Sequence, residues 1–175
     1  GGLNSLERIE KLISLGVEKA AIGFAAFKYP QIVEEAVKSF GRQSIVGVLD
    51  IKKTGFKKRY QSMVLNDSLK TNMDAIEYAR HLMNIGVGEI LLQNIDLDGR
   101  MNGFDIELIS KLYENIDIPL TVLGGAGSLN DIKNLIEKFK IIGVAAGSIF
   151  VFKGKHKAVL INYPDTDQKK ILLSS

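Results

Sequence analysis

Two glycine clusters, each directly after a short apolar run, are the part of this sequence best suited to bind an anion. The first cluster, 124–127, follows the run 119–123, and the second, Gly147 with Ser148, follows the run 142–146. A strand that stops at small residues before a helix leaves backbone N–H groups free to face a phosphate. The spacing fits neither a dinucleotide-binding motif nor a P-loop. The predicted phosphate-binding residues are Gly124, Gly125, Ala126, Gly127, Gly147 and Ser148, and close packing of small residues is the alternative interpretation.

Acidic side chains follow two further apolar runs. Asp50 ends the run 45–49, so we expect a partly desolvated carboxyl with a raised pKa, suited to general acid/base chemistry. A loop cap or an ion pair with Lys52 is the alternative. Asp96 and Asp98 follow the run 89–94, but the ligand spacing of a calcium loop does not continue. We expect substrate hydroxyls as their partners, with a tight turn as the alternative.

The elements that carry these residues alternate between strand and helix. Apolar runs predict strands at 19–24, 44–50, 89–94, 119–123 and 142–146. Helical periodicity predicts helices from an Asn4 cap to Gly16 and at 30–40, 73–85, 104–115 and 129–139. This alternation predicts parallel pairing through right-handed crossovers. The segment 51–70 interrupts the pattern, and its basic run 52–59 is expected to be a solvated hairpin.

Even spacing of the units favours a closed barrel over a doubly wound sheet. A (β/α)8 TIM barrel has eight strands, so we expect residues 1–175 to be a single partial barrel domain with about five units and without the first three strands. Gly2 then belongs to the glycine turn after an absent strand, and we predict that it also binds the substrate or its phosphate. We expect this chain on its own to be inactive, and either to aggregate through the unpaired strands at 19–24 and 142–146 or to lack a cooperative unfolding transition.

Composition excludes several classes of protein. The 175 residues are 46% hydrophobic, and neither a membrane-length apolar run nor a leader segment is present, which predicts a cytoplasmic protein. The sequence has no cysteine, so disulfides and thiolate chemistry are excluded. A net charge of +3 is too small to indicate nucleic acid as a partner. His81 in a helix and His156 in a basic tail form neither a triad nor a metal pair, and we expect no metal or cofactor.

Several segments resemble one enzyme family. They are GVLDIK at 47–52, GEILL at 88–92, IDLDG at 95–99, NGFD at 102–105 and LGGAG at 123–127. In order and with few gaps, residues 1–152 resemble the cyclase subunit of imidazole glycerol phosphate synthase, HisF. The sister isomerase of the same pathway fits the segments 88–92 and 102–105 less well. The resemblance implies a barrel that takes ammonia from a glutaminase partner, cleaves a phosphoribosyl formimino carboxamide nucleotide and closes an imidazole ring.

The resemblance also implies roles for individual residues. The second catalytic aspartate of the family falls on Asp50, and the first lies on a strand that this chain does not contain. The phosphate site matches the two glycine clusters, and the carboxylate that lines the site matches Asp98. At the opposite end of the barrel, Lys19 and Glu89 match two members of a charged ammonia gate, beside a partner interface that includes Glu18.

Two departures from the family pattern affect these expectations. Gly23 and Phe24 stand where the family has an Asn-Thr pair, so we expect no second well-formed phosphate site there. The segment 158–164 resembles HisF-like proteins of surface-polysaccharide clusters, which are thought to relay ammonia for an acetamidino sugar. A non-catalytic scaffold that only conducts ammonia is a further alternative, and it would need Lys19 and Glu89 but not Asp50.

Overall fold

The computed structural model describes residues 2–56, 59–64, 68–153 and 158–173. Its helices are α1 (Leu6–Ser14), α2 (Phe24–Lys28), α3 (Pro30–Phe40), α4 (Ala75–Asn84), α5 (Ile106–Tyr113), α6 (Leu129–Phe139), α7 (Ser148–Val151) and α8 (Thr166–Leu173), with a 3-10 turn at Arg42–Ser44. Its strands are β1 (Ala20–Ile22), β2 (Ile45–Thr54), β3 (Arg59–Val64), β4 (Leu69–Asp74), β5 (Glu89–Asn94), β6 (Leu120–Leu123), β7 (Gly143–Ala145), β8 (Phe152–Lys153) and β9 (Ala158–Val159).

The main sheet contains the five parallel strands that the alternation of elements predicts. They run in the order β1, β2, β5, β6 and β7, and helices connect successive strands. Among the described strands, β1 pairs only with β2 and β7 only with β6, so each has one free edge. The carboxyl ends of all five strands therefore meet at one edge of the sheet.

Some predicted boundaries are wrong. The strand expected at 19–24 is only Ala20–Ile22, because Phe24 already begins α2. The helix expected at 73–85 begins at Ala75, since Asp74 is its N-cap and forms a capping box with Glu77. The cap of α1 is Ser5 rather than Asn4, because the Ser5 hydroxyl accepts a hydrogen bond from the N–H of Arg8. The sequence offered two adjacent capping side chains, and only the backbone geometry selects between them.

The interruption at 51–70 is an antiparallel extension of the sheet. Strand β2 continues past Asp50 to Thr54 and pairs with β3, which in turn pairs with β4. A hairpin is therefore confirmed, and Lys53 in its basic run is exposed as expected, although its ammonium also lies 2.9 Å from the Asp105 carboxylate. Residues 57, 58 and 65–67 of this predicted segment lie outside the described part of the chain, as does His156.

The core lies between the sheet and the helices that cover one of its faces. Leu49, Ile90 and Leu92 alternate along β2 and β5 and are almost completely buried. Helix α4 packs closely on β2. A Cβ added at Gly47 would lie only 3.0 Å from the Leu82 side chain. Within the described ranges, none of the helices is both long and apolar enough to cross a membrane.

Candidate active site

Asp50 lies where the parallel part of β2 ends, at the shared carboxyl edge of the sheet. Burial raises the pKa of Asp50 to about 6, and its Oδ1 is buried without a hydrogen-bond partner among the described residues. Its neighbour on β5 is Gln93, whose side-chain amide lies 3.4 Å from the Asp98 carboxylate. Gln93 therefore stands between the two predicted carboxylates. Gln93 was not among the residues predicted from the sequence, although its place near the end of a predicted strand was a usable signal.

The two glycine clusters line one small cavity, together with the loop that carries Asp98. The lining residues are Asp98, Gly99, Leu123, Gly124, Gly125, Ala126, Ala145, Ala146, Gly147 and Ser148. Parallel pairing of β6 with β7 brings Leu123 beside Ala145, so the loops that follow both strands share one side of the sheet. All the predicted substrate- and phosphate-binding residues except Gly2 and Gly127 meet at this cavity.

The first glycine cluster, 124–127, allows two loops to pack closely, whether or not it also binds an anion. Gly125 has φ +109, and a Cβ there would collide with the Gly103 carbonyl. The Gly103 N–H donates to the Gly125 carbonyl at 2.8 Å, which fixes the loop after β6 against the loop after β5. The N–H groups of Gly125 and Ala126 donate to no other described residue. Both N–H groups therefore remain without an acceptor among the described residues.

Two predicted residues lie elsewhere. The Gly127 N–H donates to the Asp131 carboxylate at 3.0 Å, so this amide is already used within the protein. Gly2 precedes α1, and its carbonyl accepts a hydrogen bond of 2.9 Å from the Arg8 guanidinium. Neither residue lines the cavity.

At the opposite edge of the sheet, Lys19 and Glu89 form an ion pair of 2.6 Å. The Thr121 hydroxyl donates to the second Glu89 oxygen, also at 2.6 Å. Burial works to raise the pKa of Glu89, but the hydrogen bonds from Lys19 and Thr121 and the charge of Lys19 outweigh it, so the pKa lies below its ordinary value. These three side chains line a cleft of about 410 Å³ that Lys140 also borders. Glu18, the third predicted residue of this end, is exposed.

Asp105 connects the hairpin to α5 through hydrogen bonds and an ion pair. Its carboxylate caps the helix by accepting from the Leu108 N–H, and it also binds the Lys53 ammonium and the Tyr60 hydroxyl. Burial works to raise the pKa of Asp105, and these contacts, the Lys53 hydrogen bond foremost, lower it below its usual value. A cleft of about 600 Å³ lies between the hairpin and helices α4 and α5, and at its border Tyr60 bonds Asp105 and Lys111 bonds Glu107. We interpret it as a structural junction.

The first predicted departure from the family pattern, at Gly23 and Phe24, lies at the start of α2. Gly23 is the N-cap of α2 and provides no side-chain hydrogen bond. Phe24 begins that helix and packs edge-on against Tyr29, with ring centroids 6.3 Å apart. The carboxyl end of β1 therefore presents an aromatic ring where the family resemblance would have two polar side chains.

The fold and the site define a (β/α)-barrel protein with an acidic mouth at the carboxyl ends of its strands and a charged opening at the other ends. The sequence model of the family described as histidine biosynthesis protein matches residues 1–157. The chain belongs to this family. The resemblance to HisF and the partial (β/α)8 TIM barrel expected from the sequence are thereby confirmed.

Individual relatives agree with this assignment. The chain is 45% identical over 170 residues to a protein of Vibrio vulnificus named "Putative imidazole glycerol phosphate synthase subunit hisF3", covering 97% of this chain and 65% of that protein. It is 44% identical over 172 residues to a protein of Leptospira interrogans named "Putative imidazole glycerol phosphate synthase subunit HisF". The match covers 98% of this chain and 68% of that protein. It is 38% identical over 152 residues to the imidazole glycerol phosphate synthase subunit HisF of Leuconostoc mesenteroides, covering 87% and 60%. The chain thus spans about two thirds of the length of these relatives.

Proposed function

We propose that the protein is the cyclase subunit of an imidazole glycerol phosphate synthase in histidine biosynthesis, a lyase that uses ammonia to form imidazole glycerol phosphate and AICAR. The observation that carries the proposal is Asp50, a partly buried carboxyl at the mouth with a pKa of about 6. Such a group exchanges protons near neutral pH, as ring closure and bond cleavage require. The name of the Leuconostoc relative supports the same reaction.

The glycine cavity is the proposed site for a phosphate of the substrate. The N–H groups of Gly125 and Ala126 have no acceptor within the described chain, and Gly147 and Ser148 face them across the cavity. Backbone amides suit phosphate because several donors can converge on its oxygens without a side-chain charge. Asp98 at the rim would then accept hydrogen bonds from substrate hydroxyls, and Gln93 holds its orientation.

The charged cleft at the amino ends of the strands is the proposed entrance for ammonia and the docking side of a glutaminase partner. Glu89 is held between Lys19 and Thr121, so its carboxylate stays charged and fixed in direction. An ion pair in a half-buried place contributes little net stability, which favours a gate or docking role over a purely structural one. Glu18 lies beside Lys19 and is exposed to such a partner.

The proposal is tested by ammonia-dependent turnover of the nucleotide substrate with the full protein. We expect product formation in the wild type and a loss of roughly 10²-fold in kcat for Asp50→Asn, with KM little changed. Asp117→Asn is the matched control, because the Asp117 carboxyl is exposed and lies far from Asp50 along the chain. Equal turnover in Asp50→Asn and Asp117→Asn would remove Asp50 from the mechanism.

A second candidate is an ammonia-relay subunit for acetamidino-sugar synthesis, favoured by the aromatic ring of Phe24 at the end of β1. That position lacks the polar side chains that a second phosphate of the cyclase substrate would need. The relay function predicts glutamine-dependent transfer of nitrogen to a partner enzyme with no cleavage of the nucleotide. A non-catalytic scaffold would transfer ammonia equally well with Asp50→Asn.

A further inference from the structure

The loop between β5 and α5, residues 95–105, carries Asp98 and Gly99 to the rim of the glycine cavity. We call it the β5–α5 loop. None of its residues, all of which the structure describes, lies in a helix or strand, and Met101 has a left-handed φ of 60. An irregular segment of this kind takes its position from the segments that it contacts. The placement of Asp98 therefore depends on the neighbours of this loop.

On one side, the β5–α5 loop lies directly on the glycine cluster 124–127. The Gly103 N–H donates to the Gly125 carbonyl at 2.8 Å. A Cβ at Gly125 would collide with the Gly103 carbonyl, and a Cβ at Gly127 would collide with the Met101 carbonyl. The two backbones are in contact at these points, so a displacement of the loop changes the wall of the glycine cavity.

On the other side, the β5–α5 loop is bound to the hairpin of β2 and β3 near both of its ends. Near its start, the Asp96 carboxylate accepts a hydrogen bond of 2.8 Å from the Lys53 N–H. At its last residue, the Asp105 carboxylate lies 2.9 Å from the Lys53 ammonium and accepts from the Tyr60 hydroxyl at 3.0 Å. The Lys53 ammonium also lies over the Tyr60 ring, 4.7 Å from its centroid. Two hairpin side chains therefore hold the same carboxylate.

The two oxygens of Asp105 have different partners. Oδ1 accepts from the Leu108 N–H at 3.2 Å and so caps α5, whereas Oδ2 forms the ion pair with Lys53. The Tyr60 hydroxyl contacts both oxygens. A helix cap needs only one oxygen, so the hairpin contacts go beyond what α5 requires. The Asp105 side chain is only 12% exposed, and a charge largely removed from water needs hydrogen-bond donors, so separation of the hairpin would leave this carboxylate under-bonded.

We propose that Asp105 is a positioning residue of the glycine cavity: by binding Lys53 and Tyr60, it fixes the β5–α5 loop against the glycine cluster and so places Asp98 at the rim. Asp105 itself does not line the cavity, so it acts through the loop. Release of the loop lowers the fraction of molecules whose cavity is ready to bind, and the apparent affinity falls by the same fraction. The effect on an anion rests on the proposed phosphate site, whereas the link between hairpin and loop does not.

The test separates the hairpin contacts of Asp105 from its helix cap. The double variant Lys53→Met/Tyr60→Phe, made in the full protein, removes the ammonium and the hydroxyl and leaves Asp105 to cap α5. The matched control is Lys133→Met/Tyr113→Phe, which removes the same two groups elsewhere. Lys133 is in an ion pair within α6 and is 36% exposed, as against 38% for Lys53, and the Tyr113 hydroxyl donates to a backbone carbonyl at 2.8 Å.

The direct readout is hydrogen exchange of the Gly103 amide, measured by NMR. In the hairpin variant this amide should exchange at least about tenfold faster, because the loop opens more often. Exchange of the β5 amides should stay unchanged, which a general loss of stability would not allow. The control variant should match the wild type at Gly103. Lys53→Arg keeps the ion pair and should also match the wild type.

Titration calorimetry with inorganic phosphate is the second readout. The hairpin variant should bind phosphate about three- to tenfold more weakly than the wild type, and the control variant equally well. Wild-type exchange at Gly103 in the hairpin variant would overturn the proposal, as would faster exchange that extends equally to β5 or to the control variant. Unchanged phosphate affinity alongside faster Gly103 exchange would also overturn it. If the wild type binds no phosphate, the proposed phosphate site fails, and the Gly103 exchange still decides whether the hairpin holds the loop.

Discussion

The Lys19 ammonium and the Glu89 carboxylate meet at 2.6 Å although the two residues are 70 positions apart and β2 lies between their strands. Lys19 directly precedes β1 and Glu89 begins β5, so the pair crosses the amino end of the intervening strand. Val46 of β2, the register partner of both Ala21 and Glu89, lies between them. The ion pair therefore bridges three neighbouring strands at the end of the sheet opposite to Asp50.

This bridge gives a prediction about coupling between subunits. Glu89→Ala should lower glutamine-dependent activity, measured with the glutaminase partner, while ammonia-dependent activity is kept, because the change removes a gate and leaves the mouth intact. Glu107→Ala is the control, since it removes the exposed 2.7 Å ion pair with Lys111. A parallel fall of both activities in Glu89→Ala, or a fall of neither, would contradict the gate.

The anion cavity can be tested with one added charge. Gly147 has φ −122, and a Cβ there would meet no atom within 4 Å, so a side chain is tolerated. Gly147→Asp should weaken binding of phosphate or glycerol phosphate at least about tenfold, because like charges repel in the cavity. Gly147→Asn has the same shape without the charge and should bind more tightly than Gly147→Asp. Titration calorimetry measures both, and equal affinities would exclude an anion at this place. Gly125→Asp is a poorer test, because its Cβ collides with the Gly103 carbonyl.

The raised pKa of Asp50 predicts how stability depends on pH. The carboxyl titrates near 6 in the folded protein and near 3.8 when unfolded, so the folded state binds the proton more tightly. The free energy of unfolding should fall as pH rises from about 4 through about 6. Asp50→Asn should remove this fall and stabilise the protein by about 1–2 kcal/mol at pH 8, a figure reduced for partial solvent screening. Urea denaturation of both proteins at several pH values measures the free energy of unfolding. If this free energy rose more in the wild type than in Asp50→Asn between pH 4 and 6, the prediction would be contradicted.

The backbone of Lys140, at the border of the charged cleft, is strained. Its φ of 61 and ψ of −60 form a tight turn closed by a 2.6 Å hydrogen bond from the Ile141 N–H to the Phe139 carbonyl. A side chain in this region is unfavourable, so Lys140→Gly should raise the free energy of unfolding by about 1 kcal/mol. Lys133→Gly, in the interior of α6, should lower it by about 1 kcal/mol. Thermal denaturation of both variants measures the difference. A destabilised Lys140→Gly would show that the turn carries no strain.

The sequence by itself determined the alternation of elements and the edge at which the candidate site lies. Apolar period and turn residues specify parallel strands, and parallel strands place their carboxyl ends together, so Asp50 and both glycine clusters could be assigned to one side. The order of five strands follows from the same short connections. These are local properties, and they do not depend on the exact packing of distant residues.

Only the tertiary structure decided which of those residues touch. The Gly127 amide bonds Asp131, the exposed Lys53 pairs with Asp105, and Gln93 lies between Asp50 and Asp98. Contacts between residues far apart in the chain depend on strand register and on the rotation of each helix about its axis. The hydrophobic pattern favours one face of each strand for the core, but which residues of neighbouring strands lie side by side depends on the register of the assembled sheet.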